Sequence, residues 1–304
     1  MKRFSLIRAA IVAFILLFMM MVIAFMFTGK GNSESISARA ISSSEAGEIY
    51  NVLLLGKDDA AGLCDSIMLV SINTKSNDMN LLQIPRDTYF NISDSSYKKI
   101  NGALRALGSA EKFAKSLEDA LGIKIHYYLS IGTEAVKKII DAVGGVELNI
   151  PYDMDYDDPY QGLSIHLSSG VHHLSGEEAL GFLRYRSGYV SGDIGRLDAQ
   201  KLFLNALVDK LAKMKDVTAY FTLFKTVRSL CETNIKEQDI ITIGLKCSNN
   251  KDGKAYYVTA PGEAVQSEDS GAWYYILSRE ATAELLASRF APTNDKKDFD
   301  SANK

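Results

Sequence analysis

The sequence is poor in the residues that build cross-links and metal cages. Its 304 residues include three cysteines and four histidines. Three thiols (Cys64, Cys231 and Cys247) are too few for a disulfide scaffold, and their spacing matches no zinc motif. No two histidines stand at helical ligand spacing, which argues against a His-based metal site. Positive charge is not in surplus either: 34 Lys and Arg against 37 Asp and Glu give a net charge of −3. A nucleic-acid binder ordinarily carries a basic excess, so no nucleic-acid partner is expected. A G-x-x-x-x-G-K-[ST] loop is absent, as are internal repeats. With 47% hydrophobic and 23% charged residues the composition is that of a globular chain, not of collagen, a disordered tail or a polytopic membrane protein.

Long apolar runs are missing too, with one exception. Lys2, Arg3 and Arg8 precede an uncharged stretch from Ala9 to Gly29. About 20 apolar residues, rising ~1.5 Å each, cross a ~30 Å hydrocarbon core. The preceding basic residues place Met1 in the cytoplasm and the rest of the chain outside, as a single-pass cell-membrane protein. Ser37-Ala38-Arg39-Ala40 resembles a signal-peptide cleavage site, but the apolar run exceeds the roughly 7–15 residues of a secretory signal. The expected organisation is a cytoplasmic N-terminus (1–8), a transmembrane anchor (9–29), a Ser/Gly/Ala-rich linker (30–46), one outer domain (47–291) and a polar, disordered tail (292–304).

Within the outer domain, Ile49–Leu55, Ile67–Asn73 and Met79–Ile84 read as strands, the last two joined as a hairpin through Thr74–Asp78. Helical spacing runs from Asn101 to Leu121, with Gly122 as its stop. His126–Ile131 reads as a strand. Thr133 is expected to cap a helix to Ala142, closed by Gly144-Gly145. Val146–Ile150 reads as another strand, followed by an acidic loop, Asp153–Asp158. Ser175-Gly176-Glu177-Glu178 is a capping box for a helix toward Arg184. A long amphipathic helix is expected from Gly192 to about Lys213, with further helices over Val217–Leu230, Lys236–Lys246 and Ser278–Ser288 and a late strand at Tyr256–Thr259. The fold class is α/β: a single domain with a central mixed β-sheet flanked by helices, preceded by one transmembrane helix.

Three apolar strands or helices end in polar clusters: Lys57-Asp58-Asp59 with Asp65, then Pro85-Arg86-Asp87, then Arg184-Tyr185-Arg186 with Asp193, Arg196 and Gln200. Strand ends of α/β sheets are where ligands gather. Asp58 and Asp65 bracket a loop, and two oxygen donors without His or Cys favour Mg²⁺ or Ca²⁺; loop aspartates also serve simply as turn formers. Arg184 and Arg186 share a face if the segment is extended. Arg196, in the first turn of its helix, opposes the macrodipole unless an anion binds there, and Gln200 lies one turn on. The plainer reading is a salt bridge from Arg196 to Asp193 or Asp198. Arg86 is stiffened by Pro85 but could equally form a surface ion pair, and Lys98-Lys99 a solvated face. Tyr127-Tyr128 and Tyr274-Tyr275 read as core strand residues, not as a stacking platform. Cys64 has no neighbouring His that would make it a nucleophile. Outside the cell Cys231 and Cys247 could pair.

In order along the chain stand N-V-L-L-L-G-x-D, D-S-I-M-L-V-S-I-N, I-P-R-D-T-Y, K-I-N, D-A-V-G-G-V, L-R-Y-R and G-D-I-G-R-x-x-x-Q. This series, behind an N-terminal anchor, resembles the LytR-CpsA-Psr family. The resemblance covers Asn51 to Gln200, with a family-like tail through Ala260-Pro261-Gly262 and Trp273-Tyr274-Tyr275. It implies a phosphotransferase that moves an anionic glycopolymer, such as teichoic acid or capsule, from an undecaprenyl-pyrophosphate carrier to peptidoglycan. It further implies that Arg86, Arg184, Arg186, Arg196 and Gln200 hold the pyrophosphate and that Asp58 and Asp65 hold Mg²⁺, with Mn²⁺ as a substitute. Lys99 would join the substrate site, and Asp87 and Asp193, with Arg86, the catalytic set. One departure is Leu63, where many relatives carry Arg; Ser66 replaces a commoner Thr. Two other functions fit the same features: a lipid-pyrophosphate phosphatase using water as acceptor, and a non-enzymatic, membrane-tethered envelope-binding or regulatory protein.

Overall fold

A computed structural model describes residues 48–290 except 60–61, 93–94, 159–162, 186–201, 204–205, 208, 211–216 and 248–254. Among the described residues no helix is long and apolar enough to cross a membrane. The anchor read at 9–29, the linker at 30–46 and the tail at 292–304 lie outside them.

Three strands, β1 (Ile49–Lys57), β2 (Cys64–Asn73) and β3 (Met79–Ile84), form an antiparallel meander. The β2–β3 turn is built by Asn73, whose Oδ1 accepts from the N–H groups of Lys75 (2.9 Å) and Ser76 (3.2 Å), while Asn77 takes the left-handed φ of 60° that asparagine tolerates. Next to β1, in parallel, lies β4 (Tyr127–Gly132). Flanking β3, also in parallel, is β10 (Ala255–Thr259), and the two-residue β9 (Glu232–Thr233) pairs with β4. The result is a mixed six-stranded sheet of order β10-β3-β2-β1-β4-β9.

The central strands are apolar without a break because both faces are covered. Val52, Leu54, Met68 and Val70 point to one side, Leu53, Leu55, Ile67 and Leu69 to the other, and all eight are buried. The second face is packed by α1 (Ala103–Leu107) and α2 (Ala110–Leu121) through Ala103, Phe113 and Leu117. The first face is packed by α3 (Thr133–Ala142), α4 (Gly176–Arg184), α5 (Val217–Leu230) and α6 (Glu237–Cys247). A last helix, α7 (Arg279–Arg289), sends Leu286 into the second face. Fully buried rings such as Phe113 and Phe182 each contribute about 1.5–3 kcal/mol by leaving water.

Most expected elements are present, with corrections. The single helix expected over 101–121 is broken at Gly108, whose φ of 79° ends α1, while Ser109 starts α2 by accepting from the Lys112 N–H at 3.2 Å. The acidic stretch expected as a loop is a strand, β6 (Met154–Asp158), paired with β7 (Leu163–Leu167). Its charges are tolerated because His166 on β7 reaches Asp155 at 2.5 Å and Asp157 at 3.4 Å. Beside it, β5 (Val146–Ile150) pairs with β8 (Gly170–Leu174). The Ser175–Glu178 capping box forms as expected. Of the long helix expected over 192–213, residues 202–203, 206–207 and 209–210 are helical, with Phe203 and Leu207 buried. Cys231 is in no disulfide, so the suggested Cys231–Cys247 bridge is not formed. Burial pushes the Cys231 thiol up to about 12, so it acts as a small apolar residue.

Candidate active site

Topology gathers the polar clusters. Strands β1 and β4 are parallel, β10 and β3 are parallel, and β3 follows β1 in direction because both are antiparallel to β2. The carboxyl ends of β1, β3, β4 and β10 therefore share one edge with the start of β2. Asp58 follows β1 there, Arg86-Asp87 follow β3, the N-terminus of α3 follows β4, and Asp65 is the second residue of β2, skipped by the β1–β2 register between the Gly56–Ser66 and Lys57–Cys64 pairs. This is the edge at which α/β sheets bind ligands.

The loop after β1 is tight. The Asp58 N–H donates to Leu63 O (2.9 Å) and the Gly62 N–H to Asp58 O (2.8 Å), and Gly62 takes a φ of 65° that a side chain would resist. The β1–β2 register shifts between Gly56 and Lys57, which turns the strand end out of the sheet plane. Arg105 of α1 leans on this loop: its Cδ would lie 3.7 Å from a Cβ placed on Gly62. Nothing in the local sequence signalled that cation. Asp59 serves the fold. Its Oδ2 accepts from the Glu134 N–H (3.1 Å) and from Thr133 Oγ1 (3.3 Å), and Lys57 stands 3.5 Å from its Oδ1. Asp59 thus caps α3 across the sheet edge, in place of the Thr133 cap expected from sequence; Thr133 is the first helical residue, and the N-cap position is Gly132. A Cβ on Gly132 would stand 2.0 Å from Asp59 Oδ1, so the glycine is required for room.

The I-P-R-D-T-Y and K-I-N motifs meet in space. The Thr88 N–H donates to Pro85 O (3.0 Å), turning the chain past β3. The returning segment then pairs with it: Phe90 N–H to Lys98 O (2.9 Å), Ile100 N–H to Thr88 O (2.8 Å), with Tyr89 opposite Lys99. That ladder sets Lys99 Nζ 2.7 Å from Asp87 Oδ1, while Arg86 Nε stands 3.9 Å from Asp87 Oδ2. Arg86 and Asp87 are about half exposed (side chains 48% and 46%), so an incoming ligand can reach them. Arg184, half-buried, is the last residue of α4, and Tyr185 leaves the helix extended at φ −62°, ψ 129°. Arg186, Asp193, Arg196 and Gln200, and the side chain of Asp65, lie outside the described residues.

Asp58 offers oxygen donors, the type a hard cation takes, but among the described residues no group of three or more His, Cys, Asp and Glu side chains is placed to hold a metal ion. An ion held by so few protein ligands would keep positions open for water and phosphate, as Mg²⁺ does.

The fold and site together define an α/β ligand-binding domain whose polar groups converge past the carboxyl ends of its parallel strands. The chain belongs to the LytR_cpsA_psr family, whose model matches residues 22–290. It is 31% identical over 242 residues to the polyisoprenyl-teichoic acid–peptidoglycan teichoic acid transferase TagU of Bacillus cereus, covering 78% of this chain and 77% of that protein. It is 33% identical over 205 residues to TagV of Bacillus subtilis, which bears the same transferase name, covering 64% of this chain and 51% of that one. The crystal structure of B. subtilis TagV superposes with a TM-score of 0.58 at 26% identity, covering 79% of this chain and 96% of TagV's. The mixed sheet flanked by helices is thus the fold of that family.

Proposed function

We propose that the chain transfers an anionic glycopolymer, teichoic acid-like or capsule-like, from an undecaprenyl-pyrophosphate carrier to peptidoglycan. The observation that carries this reading is the meeting of Arg86, Asp87 and Lys99 at the sheet edge that also bears Asp58. The transferase names of relatives aligned over about three quarters of the chain support it. Phosphoryl transfer asks for positioning and charge neutralisation more than for covalent help. An acceptor hydroxyl oxygen attacks the phosphorus that carries the polymer. The bond to the bridging oxygen breaks, undecaprenyl phosphate leaves, and a phosphodiester remains. Asp87, oriented by Lys99, takes the hydroxyl proton. Arg86, Arg184, Arg186, Arg196 and Gln200 are the residues assigned to the pyrophosphate oxygens, and Asp193 joins Asp87 in the catalytic set; guanidinium forks suit such oxygens. Asp58 and Asp65 would hold Mg²⁺ or Mn²⁺, which when bound would further neutralise phosphate charge. The energy resides in the pyrophosphate linkage, so the reaction needs no ATP outside the cell. Residues 9–29 keep the domain beside its lipid substrate, on the outer face of the membrane.

The test uses the full chain in detergent with radiolabelled lipid-linked polymer and polymer-free sacculi. Label in the sacculi is expected, lost with EDTA and reduced about 100-fold or more in Asp87→Asn. Label released only to water would make the protein a phosphatase. Lipid binding with neither outcome would make it a binding or regulatory protein.

A further inference from the structure

The chain after β10 adds a small hairpin, β11 (Gly262–Gln266) and β12 (Trp273–Leu277), outside the main sheet. It is fastened to the candidate catalytic segment by backbone bonds: Tyr275 N–H to Asp87 O and Tyr89 N–H to Tyr275 O, both 2.9 Å. Side chains alternate along β12, so Tyr274 and Ile276 face one way, with Val265 opposite Tyr274 on β11. Tyr89 joins them edge-on, its ring centroid 5.6 Å from that of Tyr274 at 77°. The resulting face is open and, apart from Glu263 opposite Ile276, apolar: Tyr89 is 39% exposed, Val265 42% and Ile276 40%. Tyr274 is therefore no core residue, contrary to the expectation from sequence. Its ring stands 6.0 Å from Lys99 Nζ, and Lys99 is the partner of Asp87. Tyr89 and Ile276 also line a largely apolar cavity of about 150 Å³ between this hairpin and α2.

We infer that this face is the platform on which the acceptor glycan strand of peptidoglycan lies. The inference rests on the proposed transfer reaction and names the acceptor subsite of that same site. A pyranose ring has an apolar face of C–H groups that stacks on aromatic side chains, and its hydroxyls need a polar neighbour at the ring edge. Here aromatic rings and the Asp87–Lys99 pair are contiguous, so a sugar stacked on Tyr274 brings a hydroxyl toward Asp87. The cavity beside the platform has room for a small acyl substituent of an amino sugar. The pyrophosphate itself needs none of this, since an anion gains nothing from exposed Tyr, Val and Ile; the carrier's hydrocarbon tail would, and the separate measurement of donor binding distinguishes the two.

The test compares full-chain Tyr274→Ala, Tyr274→Phe and Ile276→Ala with Trp273→Ala. Trp273 is 56% exposed but lies on the opposite face of the hairpin, so it reports on loss of any surface aromatic. Transfer is followed while the amount of polymer-free sacculi is varied, and lipid-linked polymer binding is measured separately. Tyr274→Ala is expected to raise the acceptor concentration for half-maximal rate about tenfold, the worth of one stacked ring, with donor binding unchanged. Ile276→Ala should move the same way and Tyr274→Phe less far than Tyr274→Ala, whereas Trp273→Ala should behave as the parent. An unchanged acceptor requirement in Tyr274→Ala, with melting temperature intact, overturns the platform and leaves the transfer reaction standing. No transfer by the parent protein overturns the proposed function itself. Loss of binding to phospholipid vesicles, with the acceptor requirement unchanged, would assign the face to the membrane and equally overturn the inference.

Discussion

Two residues at the junction of α2 and β4 tie this fold to pH. His126 Nδ1 accepts from the Asn51 N–H at 3.0 Å, which requires that nitrogen to be unprotonated. Burial, with help from the Lys124 charge, holds the histidine below its ordinary range. A proton on Nδ1 would turn the acceptor into a donor facing a donor. The stability carried by this contact is therefore complete above the ordinary histidine value of about 6.5 and is lost as pH falls below it. Glu118, eight residues earlier, adds a second acid-labile contact. Burial works to raise its carboxyl, but Lys115, the Ile125 N–H (2.8 Å) and Lys124 outweigh it, and the net direction is down. That contribution is present above the ordinary glutamate value of about 4.3 and is lost as pH falls through the lowered one. Melting temperature against pH should thus fall in two stages on acidification. His126→Asn should remove the first stage and Glu118→Gln the second; a single unchanged stage in both variants would contradict these roles. His166 moves the other way: Asp155 and Asp157 raise it, so its clamp on β6 is complete at low pH and is lost as pH rises through the raised value.

Among the elements, α3 shows how the site is tied to the sheet. Its first turn leaves N–H groups without intrahelical partners, and Asp59, 74 residues earlier than the first of its two partners, supplies the acceptor. Asp59→Ala should cost about 1 kcal/mol, the usual worth of an N-terminal cap. Gly132→Ala should do at least as much harm, because its methyl group would strike the Asp59 carboxylate. Because Asp59 adjoins Asp58, both variants should also weaken turnover beyond their effect on melting; equal turnover at a temperature well below melting would separate the cap from the site. This cap also shows what a sequence can convey. The apolar runs of β1 to β4, the Ser175 capping box and the Gly122 stop were legible because their signals are local and periodic. So were Asp58, Arg86 and Asp87, which follow strand ends. The Asp59 cap and the Asp87–Lys99 pair depend on contacts between distant segments, which spacing does not encode. Strand β6 hid behind its aspartates, whose partner His166 lies on another strand. Tyr274-Tyr275, expected as core strand residues, stand instead on a hairpin whose partner strand β11 is exposed at every residue, a pairing that local spacing does not encode.

At the scale of the whole molecule, the buried core of the described residues runs from Leu53 and its neighbours to Phe290. On the proposed reading the expected membrane anchor has a kinetic task. A tether converts the encounter with a membrane lipid into an intramolecular event, at an effective concentration set by the length of the linker. If residues 9–29 anchor the chain as expected, a random-coil linker of the expected length, residues 30–46, would let the domain range over roughly 20–25 Å. A chain lacking residues 1–47 should accordingly melt at the same temperature as the full chain. In dilute solution its turnover of donor embedded in vesicles should fall by about 100-fold. Turnover of a donor whose lipid is short enough to stay in solution should be the same with or without the anchor, because no encounter at a surface is then involved. Equal rates for both forms on vesicles would remove the tether's role, and a lower melting temperature in the shortened chain would show instead that the N-terminal residues pack against the domain.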